Sequence, residues 1–282
     1  MFLYIGVGIP SDARSRYAEE HAEGRSPPPR KLHVDPMSLT RVLARVPSTT
    51  LLGKLARLPL RFIPRRAVMT VLTGPLSGGR WIVASGVHSN WLGIYEAEMQ
   101  RAIARTVTPS AVFFDVGAHA GYYSLLASRL VSGTGRVVAF EPDARNLGYL
   151  KEHLRLNAAG NVTVIEAAVA DASGTARFAA EQSGFGGTLS EAGSAAIQTV
   201  TIDGLIEAGA VPAPNFVKID VEGAEFRVLC GARRVLKAAH PTIFLAVHTP
   251  AVARLCRDAL TTLGYVVRPI RRDAWLCTAA PG

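Results

Sequence analysis

One stretch of the chain, Asp115 to Gly121, has residue types and a spacing that suit ligand binding. It reads DVGAHAG, so an acid stands two residues before the first glycine and the second glycine stands four residues after it. A dinucleotide fingerprint needs three close glycines, but positions 119 and 122 here are histidine and tyrosine. A looser turn that begins with an acid suits a ligand carrying an ammonium and a carboxylate group.

S-adenosylmethionine is such a ligand, and a second acid supports this interpretation. Glu141, followed by Pro142, ends the next apolar run about 20 residues beyond the glycine turn, where an acid is placed to bind ribose hydroxyls. The alternative role for Glu141 is a charge at the N-terminus of a helix starting near Asp143. Asp171 could accept the adenine amino group or simply open a turn. The predicted cofactor-binding residues are Asp115, Gly117, His119, Gly121, Tyr122, Glu141, Pro142, Ala170, Asp171 and Asp220.

Three further residues could carry out methyl transfer. A sulfonium methyl is already activated, so the enzyme needs in-line positioning and removal of the acceptor's proton. His248 follows a predicted strand and is the predicted base, because the ordinary pKa of histidine lies near the operating pH, with a structural histidine as the alternative. Asp220 and Glu222 could bind acceptor hydroxyls, act as the base, or hold a divalent cation together with His248. Glu222 could instead cap a helix, and nothing in the sequence requires a cation.

Alternating strands and helices must position these residues. Apolar runs bounded by glycine, proline or acids predict buried parallel strands at Ala111–Phe114, Arg136–Phe140, Val162–Ala167, Asn215–Asp220 and Thr242–Val247. Helical spacing predicts helices at Tyr122–Leu130, Ala144–Leu156, Ala224–Leu236 and Ala251–Leu263. Tyr265–Ile270 and Trp275–Thr278 form a closing antiparallel pair. The predicted fold class is α/β: a doubly wound, seven-stranded, mostly parallel sheet with one antiparallel strand, plus an N-terminal helical extension.

Shorter elements surround this sheet. Turn residues predict a strand pair within Val71–Val83, and Thr175–Phe178 and Ile197–Thr201 are predicted strands that flank a glycine-rich loop, Ser183–Gly187. A helix from Tyr95 onward leads into the first core strand. Trp91, Tyr95 and Glu96 in this lead-in are candidate substrate-binding residues, with ordinary packing as the alternative.

Positive charge is concentrated near the N-terminus. The 282-residue chain carries a net charge of +9, and Met1 to Ser110 holds 15 lysines and arginines against 7 acids. This pattern fits a solvated basic face, or attraction to a phosphorylated or nucleotide-linked substrate, a membrane surface or nucleic acid. We divide the chain into a poorly ordered segment (1–36), a basic extension or substrate cap that could form two helices within Met37–Leu72 (37–108), and a cofactor-binding domain (109–282).

Composition and cysteine content favour a globular protein of a reducing compartment. Three widely spaced cysteines without a CxxC pair argue against disulfides and structural zinc. The apolar start, MFLYIGVGIP, is too short to span a membrane. A cytoplasmic location is the expectation, and peripheral membrane contact stays open.

At this point the motifs resemble a known family. DVGAHAGYYS, FEP and KIDVEGAE, the last at Lys218 to Glu225, are similar to motifs of FkbM-type S-adenosylmethionine-dependent methyltransferases, and the resemblance covers about Phe113 to Cys277. It implies a Rossmann-like class I methyltransferase fold, S-adenosylmethionine as cofactor, and methyl transfer to an oxygen of a sugar or natural product. The implied partner is a small-molecule or glycan substrate, with anionic or lipid-linked acceptors included.

One position departs from the family pattern. Members often carry Glu-x-His after the fifth strand, but this chain has Ala246-Val247-His248, so any role of that carboxylate is in doubt. Two other functions follow from the residues. An RNA-directed methyltransferase or RNA-binding protein would use the basic N-terminal region, although acids at the sheet edge would repel a phosphate backbone, so nucleic acid is not expected. A cofactor binder without turnover is the non-enzymatic alternative.

Overall fold

The computed structural model describes residue 50 and residues 58–180, 187–189, 193 and 195–281. The predicted poorly ordered segment 1–36 lies outside these residues. Most of the region Met37–Leu72, where two helices are predicted, also lies outside them. Most of the predicted glycine-rich loop, Ser183–Gly187, also lies outside them.

Thirteen strands occur in the described part of the chain. In order they are β1 (Val68–Thr70), β2 (Arg80–Ile82), β3 (Val112–Val116), β4 (Arg136–Phe140), β5 (Val162–Ile165), β6 (Ala168–Val169), β7 (Gly174–Ala180), β8 (Gly187–Leu189), β9 (Ala195–Val200), β10 (Phe216–Ile219), β11 (Thr242–Ala246), β12 (Tyr265–Arg271) and β13 (Ala274–Ala279).

The described α-helices alternate with the core strands. They are α1 (His88–Leu92), α2 (Ala97–Thr106), α3 (Tyr122–Val131), α4 (Ala144–Leu156), α5 (Ile202–Glu207), α6 (Glu225–Gly231), α7 (Arg233–Ala239) and α8 (Pro250–Thr262). None of the described helices is long and apolar enough to cross a membrane.

Seven strands form the central sheet in the order β12-β13-β11-β10-β3-β4-β5. The pairs between β11 and β5 are parallel, whereas β13 pairs antiparallel with both of its neighbours. The predicted seven-stranded, mostly parallel sheet with one antiparallel strand is therefore confirmed. Every residue of β10 is buried, as are four of the five residues in β3 and in β4, which is typical of strands covered by helices on both faces.

Two smaller sheets flank the central one. β6, β9, β7 and β8 form a four-stranded sheet after the third core strand, and β1 pairs antiparallel with β2 in the lead-in. The predicted single helix at Ala224–Leu236 is wrong: it is broken into α6 and α7 at Ala232. Gly231, just before the break, lies so close to β6 that an added β-carbon would stand 1.9 Å from the Ala170 carbonyl oxygen.

Candidate active site

A cavity of about 320 Å³ opens at the carboxyl ends of β3, β4 and β10. This volume lies within the range of small-molecule sites, roughly 300–1,000 Å³. Its lining combines the glycine turn, the end of β4, the end of β10 and part of the lead-in. The lining residues include Trp81, Asn90, Tyr95, Gly117, His119, Tyr122, Tyr123, Glu141, Pro142, Ala168, Val169, Lys218, Asp220 and Glu222.

The glycine turn between β3 and α3 contains two positions with positive φ angles, which favour glycine. Gly117 has φ +80°, and a β-carbon there would lie 1.9 Å from the carbonyl oxygen of Asp220. Gly121 has φ +90°, and its added β-carbon would lie 2.5 Å from the Leu150 side chain. The loops after β3 and β10 can thus approach each other closely enough to share one cavity.

Glu141 lies in this cavity wall and fixes the turn from the neighbouring strand. Its carboxylate accepts hydrogen bonds from the backbone N–H of His119 at 2.8 Å and of Asp143 at 3.0 Å. Burial raises the pKa of Glu141 to about 7, although these backbone donors favour the ionised form. A carboxyl group at this point accepts hydrogen bonds from a ligand hydroxyl more strongly once it has lost its proton.

Asp115 differs from its predicted role as a group that faces the ligand. It is fully buried, accepts a 2.6 Å hydrogen bond from Ser124 Oγ and does not line the cavity. In the parallel register of β3 and β10 it stands directly beside Lys218, whose Nζ lies 3.8 Å from Asp115 Oδ1. Burial raises the pKa of Asp115, an effect that Lys218 opposes. Asp115 thus holds a lysine that does reach the cavity.

Lys218 links this buried acid to the cavity edge. Its Nζ lies 3.1 Å from Asp220 Oδ2 and 4.7 Å from the centre of the Tyr123 ring. Burial would lower the pKa of Lys218, but the carboxylates of Asp220 and Asp115 outweigh it and raise the pKa. A charged lysine therefore fixes Asp220 where the cavity begins.

Asp220, Glu222 and His248, the three predicted catalytic residues, lie together. The Nε2 atom of His248 is 3.4 Å from Asp220 Oδ1 and 3.2 Å from Glu222 Oε2. Its Nδ1 atom is 2.7 Å from Glu225 Oε1. We call Asp220, Glu222 and His248 the acceptor cluster. Asp220 and Glu222 also line the cavity, so the cluster stands beside the space available to ligands.

Glu225 also belongs to this site, although it is not among the predicted site residues. Its side chain is fully buried at the start of α6, and the hydrogen bond to Glu225 is the main cause that raises the pKa of His248 to about 9. At neutral pH the His248 ring is therefore protonated and cannot take up a further proton, which argues against its predicted role as the base. The available signal was the last acid of KIDVEGAE, but its partner lies 23 residues away.

The three lead-in candidates separate in the structure. Tyr95 lines the cavity. Glu96 lies behind it, accepts a 2.9 Å hydrogen bond from Tyr123 and forms an ion pair with Arg271 at 2.5 Å. Trp91 does not line the cavity; it is buried and donates to His88 Nδ1 at 3.0 Å, so its predicted substrate contact is replaced by packing.

Sequence reasoning missed other lead-in residues that line the cavity, notably Trp81 and Asn90. His153 ties this segment to the main domain: its Nδ1 lies 2.7 Å from the Ala120 carbonyl oxygen and its Nε2 accepts from the Ile82 N–H at 3.0 Å. Burial lowers the pKa of His153 to about 4, so the ring is neutral and can make both bonds. The buried indole N–H of Trp81 has no hydrogen-bond partner among the described residues.

Two of the predicted cofactor-binding residues, Ala170 and Asp171, lie outside the cavity lining. Ala168 and Val169 line the cavity, whereas Ala170 and Asp171 do not. Ala170 is buried against Gly231, and the Asp171 carboxylate forms a 2.8 Å ion pair with Arg227. The Asp171 side chain therefore pairs with Arg227 on α6 and does not face the cavity.

Comparison with known proteins gives consistent matches. The sequence model of a family described as the methyltransferase FkbM domain matches residues 115–267. The hexuronic acid methyltransferase AglP of Haloferax volcanii is 32% identical over 183 residues, which cover 63% of this chain and 74% of AglP.

Solved structures also match. The FkbM methyltransferase from Methylobacillus flagellatus aligns with 20% identity and a TM-score of 0.45, over 68% of this chain and 55% of that one. A precorrin-6y C5,15-methyltransferase from Geobacter metallireducens aligns with 20% identity and a TM-score of 0.45, over 67% of this chain and 88% of that one. The chain thus spans little more than half the length of the first of these structures.

Proposed function

The chain belongs to the FkbM methyltransferase family, and we propose that it is an S-adenosylmethionine-dependent O-methyltransferase acting on a hydroxyl of a sugar or glycosylated molecule. One observation carries the proposal: a single cavity is lined both by Glu141 with the glycine turn and by Asp220 and Glu222 of the acceptor cluster. A cofactor and an acceptor bound in that cavity would therefore meet. The name of the relative AglP supports uronic acids as the first acceptors to try.

In this proposal Glu141 would accept hydrogen bonds from the cofactor's ribose hydroxyls, and the glycine turn and Asp220 would hold its amino-acid end. The acceptor cluster would hold the acceptor hydroxyl. When bound, the cofactor would supply the activated methyl group to the acceptor oxygen, and its sulfur would keep the electron pair of the broken carbon–sulfur bond. The Asp220 carboxylate would take the hydroxyl proton. The residues contribute positioning and proton removal, because the methyl group is already activated.

Cofactor binding is the first test. Calorimetric titration of the full chain with S-adenosylmethionine should show one site, and Glu141→Ala should weaken binding about 10- to 100-fold, as expected for lost hydrogen bonds to a charged group. Glu152→Ala is the matched control, because Glu152 is a solvent-exposed glutamate that pairs only locally with Arg155.

A folded wild-type protein that does not bind S-adenosylmethionine would overturn the proposal. Where binding is found, transfer of a labelled methyl group to a panel of glycosides, with uronic acids and neutral sugars in parallel, identifies the acceptor class. Label that never leaves the cofactor across the panel would favour the non-enzymatic binder.

Glu141 also predicts how cofactor affinity depends on pH. Its pKa is raised to about 7 in the protein without ligand, so its carboxyl group is increasingly protonated as the pH falls below 7. The ionised form can accept with both oxygens, whereas the protonated form keeps one oxygen as an O–H donor, so affinity should fall by up to about tenfold between pH 8 and pH 6. Calorimetry at several pH values checks this.

The charge of Asp143 acts on Glu141 and remains in a Glu141→Gln variant. That variant should bind more weakly than wild type at pH 8 and show little change down to pH 6. An equal pH dependence in both proteins would assign the effect to another group.

A further inference from the structure

We propose that the acceptor cluster is a divalent-cation site, with Asp220, Glu222 and His248 as its protein ligands. The three residues each offer one ligand atom, and these atoms all lie within 4.8 Å of one another. A carboxylate oxygen and an imidazole nitrogen bind Zn²⁺ at about 2.0–2.2 Å, and other divalent ions take the same ligand types, so atoms this close can converge on one ion after small side-chain adjustments.

The orientation of His248 is the second observation. Glu225 is fully buried and holds Nδ1 at 2.7 Å, which leaves Nε2 facing the two carboxylates. A buried carboxylate behind a ligand histidine is the usual arrangement at protein metal sites, because it fixes both the ring and the tautomer. An exposed group of acids on a surface has no such support.

The charge balance around the cluster points the same way. Asp220, Glu222 and Glu225 bring three carboxylates to His248, and Lys218 lies 3.1 Å from Asp220 and is shared with Asp115. The negative charge of Asp220 and Glu222 would attract a divalent cation bound between them. The cation would lie at the edge of the cavity, where Asp220 and Glu222 are exposed to bound molecules.

Coordination positions left by the protein would be open to water or to vicinal hydroxyl and carboxylate oxygens of an acceptor. This role of the cation rests on the proposed methyltransferase function, since it concerns the acceptor. Binding of the cation itself does not rest on it and can be measured with neither cofactor nor acceptor present.

The test is a titration of the chelator-treated full chain with Mn²⁺, followed by the electron paramagnetic resonance signal of the free ion. Wild type should bind one Mn²⁺ per chain at this site, with displacement by excess Mg²⁺. Glu222→Gln and His248→Gln should each weaken binding at least tenfold, and Glu225→Gln should weaken it about 10- to 100-fold through loss of the supporting carboxylate.

Glu207→Gln is the control, because Glu207 is an exposed glutamate in a 2.7 Å ion pair with Arg234 outside the cavity. Circular dichroism shows whether each variant is folded. Glu222 is an exposed loop residue, so Glu222→Gln keeps the test informative if His248→Gln fails to fold. Wild type that binds no Mn²⁺, or binds it as tightly as Glu222→Gln, overturns the inference. S-adenosylmethionine titration in the presence of chelator tests the proposed function separately, so the two failures are distinguishable.

Discussion

Replacing Gly117 by alanine should abolish measurable S-adenosylmethionine binding and lower the free energy of unfolding by roughly 2–4 kcal/mol. Two costs add together at this position. The backbone has φ +80°, which disfavours any residue with a β-carbon, and that β-carbon would stand 1.9 Å from the Asp220 carbonyl oxygen. Either the loop after β3 or the loop after β10 must move, and both loops line the cavity.

Gly78→Ala separates the two costs. Gly78 has nearly the same backbone shape, φ +82°, but an added β-carbon there meets nothing within 4 Å. It should cost about 1 kcal/mol from backbone strain alone and leave cofactor affinity unchanged. Urea unfolding and calorimetric titration compare the two variants. Equal destabilisation by both, with cofactor binding intact in Gly117→Ala, would show that the two loops need not approach so closely.

The sheet could be predicted because local signals agree with each other. The strand Arg136–Phe140 and the helix Ala144–Leu156 were predicted with the bounds that the structure has, since an apolar run ends at Glu141-Pro142 and Asp143 caps the helix. The break between α6 and α7 could not be predicted in this way. It coincides with packing of Gly231 against the carbonyl group of Ala170, just after β6 and some 60 residues earlier in the chain, and helical spacing carries no information about that contact.

The same limit explains the site. The ends of parallel strands meet at one edge of the sheet, so the closeness of Asp220, Glu222 and His248 follows from topology alone. The partners that these side chains find on other elements do not follow from topology. Asp115 turns to Lys218 because of strand register, and Asp171 turns to Arg227 across 56 positions of sequence. Side chains next to the cavity can therefore be predicted from strand ends, whereas the direction in which each one points depends on its partner.

Ala246 is a case where the structure changes the meaning of a sequence feature. The loss of the expected glutamate before His248 suggested a histidine without an orienting carboxylate. Glu225 makes a 2.7 Å contact with its Nδ1 from a different element, and Ala246 is buried in β11. The missing glutamate is therefore no argument against turnover, and Glu225→Gln is the variant that removes the orienting carboxylate from His248.

Asp220→Asn should lower the rate of methyl transfer by about 10²–10⁴-fold, the usual effect of removing a proton-accepting group from an active site. Asp220 contacts both Lys218 and His248 and also lines the cavity, so its carboxylate is placed where a bound acceptor can reach it. Asparagine keeps the size of the side chain but cannot take up the acceptor's proton at neutral pH. S-adenosylmethionine affinity should fall by no more than about tenfold, because a single charge-assisted contact is at stake.

Asp171→Asn is the matched control for this substitution. It removes an equivalent charge from an ion pair with Arg227, but its side chain lies outside the cavity lining, so the rate of transfer should stay within about twofold of wild type. Transfer of labelled methyl to the acceptor found in the glycoside panel measures both variants, with calorimetry for the cofactor. A near-normal rate in Asp220→Asn would move proton removal away from this carboxylate, and a large loss in Asp171→Asn would restore the adenine contact that the geometry argues against. The pair of variants therefore tests which of two strand-end acids, both predicted from the same sequence signal, takes part in the chemistry.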